Sequence, residues 1–139
     1  MSGLVEFLRA RLDEDYEAVR RVIGVNVMEA YKDGIPVPRW VPSPKREAGI
    51  WDTNGQPRVR FAWPRERDHI LRHDPARVLA EFEAKQRILA RHSHCGSGVG
   101  RCDDGGHGWD DVEGGGCADL GDLAAPFADH PDYEERWRM

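Results

Sequence analysis

All three cysteines of the chain and three of its six histidines fall in one stretch, HSHCGSGVGRCDDGGHGWDDVEGGGC, which runs from His92 to Cys117. Thiolate sulfur and imidazole nitrogen are the ligands zinc prefers, and structural zinc sites use four of them in a tetrahedron. His92, Cys95, Cys102 and Cys117 supply such a Cys₃His set, with His94 and His107 as alternates for the histidine. Asp103 or Asp104 could serve in a mixed site. Two residues separate His92 from Cys95, but six separate Cys95 from Cys102 and fourteen separate Cys102 from Cys117. That spacing is looser than a paired Cys-x-x-Cys signature. The energetic argument is stronger. A stretch with so few aliphatic side chains cannot offset its ordering entropy by burial. A bound metal can, because its binding free energy becomes folding free energy. A structural Zn²⁺ is therefore the expected cofactor, and a Gly-rich loop with incidental thiols is the bland alternative.

Other chemistry is thinner. His73-Asp74, with His69 one helical turn earlier, has the form of a metal-dependent phosphohydrolase pair that would activate water on a divalent ion. Asp74 ahead of Pro75 is more simply a helix N-cap. A catalytic zinc with an open position and Glu113 as base is a second enzymatic option, but the His-x-Glu and Pro-Cys-x-x-Cys elements of zinc deaminases are absent. Neither Gly-x-Ser-x-Gly, nor a P-loop, nor a dinucleotide fingerprint occurs. Asp129, His130 and Asp132 read as capping groups of a terminal helix. No catalytic residue is assigned, and a non-enzymatic role is expected, with a zinc- or metal-dependent hydrolase as the remote alternative.

At 139 residues the chain fits one domain with a modest core, and 15 glycines with nine prolines place much of it in turns. An odd number of cysteines argues against a closed disulfide framework and suits reduced thiols. No apolar run of about 18 residues is present, and the N-terminal MSGLVEFLRARLDED is amphipathic rather than a signal peptide, so a cytoplasmic location without membrane contact is expected. The net charge of −5 hides an uneven spread. Residues 1–57 carry 8 basic and 9 acidic groups, residues 58–91 carry 9 and 5, and residues 92–139 carry 3 and 11. The basic third offers Arg58, Arg60, Arg65, Arg67, Arg72 and Arg77 as candidate nucleic-acid contacts, with Trp63 to stack on a base. The acidic tail would repel the same polyanion, and Trp63 alternates with Phe61 and Val59 as a core strand would. A protein partner is therefore expected ahead of nucleic acid.

The elements that must position these groups follow from periodicity. From Ser2, apolar residues at Leu4, Leu8, Leu12, Tyr16, Val19 and Ile23 mark an amphipathic helix, with Val5, Phe7 and Val22 widening the stripe. Gly24 weakens it, and Asp33-Gly34 sets its outer limit. The four prolines of IPVPRWVPSPK predict an extended surface run outside any sheet interior. Ala48–Asp52 and Arg58–Trp63 flank an Asn-Gly turn and predict a hairpin, with Val59, Phe61 and Trp63 facing the helices. Pro64 opens a short helix, and Asp74-Pro75 opens a longer one with Val78, Leu79, Phe82, Ile88 and Leu89 inward, ending near His92. Leu120, Leu123, Ala124 and Phe127 predict a short amphipathic helix, and Pro131 a last one through Tyr133 and Trp137.

These segments carry a resemblance. HILRHDPARVLAEFEAKQRIL, the Cys-bearing Gly-rich loop, DLAAPFADHPDYEERW and the N-terminal LVEFLRARLDED together resemble an uncharacterised actinobacterial and actinophage family of small proteins, known only as a domain of unknown function. The resemblance implies a His at the end of the long helix, a Cys or two in the loop and a Cys before the final leucine-bearing segment: His92, Cys95 or Cys102, and Cys117. Residues 24–63 and the spacing of Cys95 and Cys102 depart from its usual pattern.

The fold expected is α+β and mostly helical: two long packed helices, a small β-hairpin, and a zinc-closed Cys/His loop with a C-terminal helix. The chain is taken as a single domain over 1–139. Its parts are an N-terminal helix (1–33), a Pro-rich segment and hairpin (34–63), a helix pair (64–92), a metal loop (93–117) and a C-terminal helical segment (118–139). The function expected is a zinc-stabilised protein-interaction or regulatory module, with a nucleic-acid-binding accessory protein using 58–91 as the alternative.

Overall fold

A computed structural model describes residues 2–45, 47–92 and 117–138. Its elements in chain order are α1 (Ser2–Ile23), α2 (Val25–Lys32), β1 (Trp40–Pro42), β2 (Ile50–Asp52), β3 (Pro57–Val59), α3 (Pro64–Arg72), α4 (Pro75–His92) and α5 (Ala118–Ala124). Two single 3₁₀ turns, Ala125–Phe127 and Glu135–Trp137, follow. The fold is mostly helical α+β, as the periodicity predicts. Backbone contacts divide it into two compact units, one of residues 1–14 with 82–139 and one of residues 15–81.

In the unit of residues 15–81, α1 stops at Ile23 because Gly24 takes φ 84°, ψ 167°, a left-handed conformation that breaks the helix and lets α2 restart at Val25. The uninterrupted continuation to Asp33 does not form. The sheet is antiparallel in the order β1-β2-β3, so the Pro-rich segment contributes a strand, and contributes it at the edge where a proline's missing N–H goes unmissed. The Asp52 carboxylate organises the β2–β3 turn. It is buried and accepts from the N–H groups of Asn54 (2.9 Å) and Gln56 (3.0 Å) and from Arg58 Nε (2.8 Å).

The hairpin's predicted inward face is corrected. Phe61 and Trp63 are 54% and 67% exposed, whereas Ala62 between them is buried. The cause is local. The β2–β3 register shifts between Ile50 and Trp51, and β3 ends at Val59. Gly49 lets the carbonyls of Val59 and Arg60 approach to where a Cβ would lie 2.9 and 3.2 Å away. Ala62 N–H then bonds Ala48 O at 2.7 Å. The bend beyond Val59 puts Ala62 inward and its two aromatic neighbours outward.

Asp74 is the N-cap that the Asp-Pro pair predicts, and it does more than cap. One carboxylate oxygen accepts from Arg77 N–H at 3.0 Å, the usual cap bond to the third helical residue. The other accepts from Arg39 Nε at 2.7 Å and from Trp40 N–H at 3.1 Å, so the start of α4 is tied to β1 through a fully buried carboxylate.

In the unit of residues 1–14 and 82–139, the start of α1 lies beside the end of α4, where Arg9, Leu12 and Asp13 share a hollow with Gln86, Leu89 and Ala90. Leu4, Val5, Phe7, Leu8, Leu12, Phe82, Leu89, Leu120, Ala124 and Trp137 form its buried apolar core. The C-terminal segment docks on α1 through aromatics. The Phe7 ring meets Phe127, Tyr133 and Trp137 at centroid separations of 6.3, 6.0 and 5.1 Å. The last helix expected from Pro131 is only the 3₁₀ turn Glu135–Trp137, because Glu134 is extended (φ −102°, ψ 130°) and delivers Trp137 to the core from a loop.

Asp74→Ala removes a cap and strands the donors that face it, and should lower stability by about 3 kcal/mol in urea unfolding. For Asp52, burial pushes the carboxyl pKa up, but the bonds from Gln56, Arg58 and Asn54 outweigh it and hold the pKa below its ordinary 3.8. A depressed folded-state pKa means stability that is present above about pH 4 and lost as pH falls through the folded value. Acid titration of stability should therefore show a step below pH 4 that Asp52→Asn flattens.

Candidate metal centre

Two helix termini meet at the candidate centre. His92 is the last residue of α4, where the partial negative charge of the helix end favours a cation. Cys117 is the N-cap of α5, extended at φ −67°, ψ 134°, and Asp119 stands in that helix's first turn, where a carboxylate is favoured. His92 is 5% exposed and Cys117 fully buried. His92 Nδ1 lies 3.4 Å from Cys117 Sγ, and His92 Nε2 lies 3.4 Å from Asp119 Oδ2. One ligand atom from each of the three residues falls within 4.8 Å of the other two.

This spacing suits a metal. Zinc–sulfur and zinc–nitrogen bonds of about 2.3 and 2.05 Å at the tetrahedral angle put the two ligand atoms about 3.6 Å apart, close to the separation between Nδ1 and Sγ. Sulfur and imidazole are the donor set that selects zinc over hard oxygen-seeking cations. Outside this buried pair, Ile88, Arg91, His92, Asp119, Asp122 and Leu123 line an open cleft of about 380 Å³.

His92 and Cys117, 25 positions apart in sequence, are brought together here. Cys95, Cys102, His94 and His107, along with Asp103, Asp104 and Glu113, lie outside the described residues. Asp119 is missing from the sequence-derived set.

The other sequence candidates separate. Three donors hold the Asp74 carboxylate as the helix cap that Asp-Pro predicts, and His69 and His73 pack ring to ring at 4.6 Å. His130 does not cap a helix. Its ring lies against Phe7 at 5.6 Å, its Nδ1 accepts from Asp132 N–H at 3.0 Å, and Arg11 Nη1 approaches that same nitrogen at 2.8 Å.

The six arginines differ in exposure and pairing. Arg58 is half-buried and paired with Asp52 at 2.8 Å. Arg77 bonds Glu81 at 2.9 Å and the Arg72 carbonyl at 3.2 Å, and Arg67 is half-buried. Arg60, Arg65 and Arg72 remain exposed.

Comparison with known proteins bears on the whole chain. The profile of a family of unknown function, DUF6221, matches residues 1–139. The chain belongs to DUF6221. The sequence resemblance to a family known only as a domain of unknown function is thereby borne out. No curated protein and no solved structure matches it. Among the described residues of this DUF6221 protein, no helix is long and apolar enough to cross a membrane.

Proposed function

We propose that this DUF6221 protein is a small non-enzymatic protein-interaction or regulatory module of actinobacterial or phage type, acting in the cytoplasm, whose C-terminal part is closed by a structural zinc ion. The observation that carries the zinc is the buried His92–Cys117 pair at tetrahedral-edge spacing. The further ligands expected from the sequence are Cys95 and Cys102. In this reading the metal holds the end of α4 to the start of α5 and takes no part in a reaction.

The interaction face is the exposed aromatic pair. Phe61 and Trp63 meet edge to face at 4.9 Å just ahead of α3, with Trp63 the N-cap of that helix and Pro64 at its first position. Large aromatics held outward on ordered backbone are the residues that anchor protein interfaces. A second reading draws on the same pair. The exposure of Trp63 removes the argument that it belongs to the core, and exposed Arg60 and Arg65 flank it. A single-stranded nucleic acid could stack there.

Chelation at neutral pH should lower the melting temperature and increase hydrogen exchange in 82–92 and 117–138 while far-UV circular dichroism keeps most of its helical signal. An unchanged melting temperature and exchange pattern would sink the structural-zinc reading. For the interaction face, a photo-crosslinking amino acid at position 63, with Asn26 as an exposed control, should yield one discrete protein adduct in the native host. Adducts to nucleic acid, with binding that falls steeply as salt rises, would favour the second reading.

A further inference from the structure

Each nitrogen of the His92 imidazole has a polar neighbour at 3.4 Å, Nδ1 the Cys117 Sγ and Nε2 the Asp119 Oδ2. The lone pairs of one imidazole ring diverge, so a single ion can use only one of them. Both contacts have distances compatible with ligand pairs, because a tetrahedral nitrogen–oxygen edge is about 3.3 Å. Donor chemistry and burial separate them. On the Nδ1 side the companion is a fully buried thiol, the softer and preferred zinc ligand. On the Nε2 side it is a carboxylate 58% exposed at the wall of the open cleft, where an ion would forgo the thiolate for oxygen companions such as Asp119 and the exposed Asp122.

We infer that the ion binds His92 through Nδ1 together with the Cys117 thiolate, and that Asp119 is a positioning residue rather than a ligand. This inference rests on the zinc reading above and assigns the roles within it. Asp119 receives the Nε2 proton of the neutral ring, which fixes the tautomer that leaves Nδ1 free to coordinate and stops the ring from turning over. Carboxylate–histidine–metal relays of this kind raise the basicity of the ligating nitrogen, and their loss weakens metal binding about 10- to 100-fold. The chain supplies the carboxylate economically. An N-cap cysteine and a first-turn aspartate two residues later are delivered by the same helix start, α5, to the two edges of one ring.

The test uses the full chain loaded with zinc and labelled with ¹⁵N-histidine. Two-bond proton–nitrogen correlation spectra should show His92 metallated at Nδ1 and protonated at Nε2. Competition against a chromophoric chelator should show Asp119→Asn binding zinc at least about tenfold more weakly, with Asp119→Glu recovering part of the loss and Asp122→Asn near wild type. Cobalt-substituted Asp119→Asn should keep the thiolate charge-transfer band, which Cys117→Ser should lose. Metallation at Nε2, or unchanged affinity in Asp119→Asn, would overturn the inference while leaving a zinc site in place. Absence of bound zinc in the wild-type chain would overturn both this assignment and the reading on which it rests. The nitrogen assignment needs no variant, so a Cys117→Ser protein that fails to fold leaves the test intact.

Discussion

A fully buried carboxylate is costly unless donors surround it, and the arrangement of residues 15–81 follows from how Asp74 is satisfied. Its two oxygens face different elements. One satisfies the first turn of α4, and the other is filled by Arg39 and by the backbone of Trp40. The Pro-rich segment is therefore tied at the point where it becomes β1, which explains why a stretch with four prolines still makes ladder contacts. Prolines Pro36, Pro38, Pro42 and Pro44 limit the backbone donors available to the segment, and the Trp40 donor is spent on Asp74. An edge strand with a side-chain anchor needs fewer ladder bonds than a central strand.

The same helix that Asp74 starts is the one His92 ends. A helix leaves orphan N–H groups at one terminus and orphan carbonyls at the other, and the two ends of α4 meet these demands with opposite chemistry. At its start, an anionic side chain is buried among donors. At its end, an imidazole is set between a thiol and a carboxylate, where a cation is favoured. Polar groups thus define both limits of α4, while Leu79, Phe82 and Leu89 supply its buried stripe.

The helices were legible because their signals are local: a 3.6-residue apolar stripe, Pro64 and Pro75 at first helical positions, Asp74 as cap. Two of the three candidate-site residues, His92 and Cys117, were legible because ligand type marks them whatever lies between them. The two failures within residues 15–81 share a different cause. Phe61 and Trp63 continue the alternation of Val59, and nothing in residues 58–63 alone reveals that the strand ends at Val59. That outcome depends on Gly49, ten residues earlier, and on the shifted register at Ile50 and Trp51. Arg39 could not be paired with Asp74 from sequence, because the two are 35 positions apart. Asp119 carries no distinct sequence signal, because a carboxylate in the first turn of a helix already has a sufficient local explanation in the helix dipole.

A clamp at His92 and Cys117 would act on the ends of a long loop. The two residues are 25 positions apart, and an ion that stayed bound to both in the unfolded chain would restrain it much as a disulfide does, by about 3.5 kcal/mol on chain-entropy grounds. A restraint of that size is a substantial fraction of a small domain's stability. It is also conditional, because a buried Cys117 packs as a small apolar group in the absence of any ion. The apolar contacts of Leu120, Ala124 and Trp137 can then seat α5 and the C-terminal turn unaided, and a metal would add cross-linking to a contact that burial has already drawn together. In that division of labour the aromatic docking on Phe7 specifies where the C-terminal segment goes, and a metal clamp would determine how rarely it leaves.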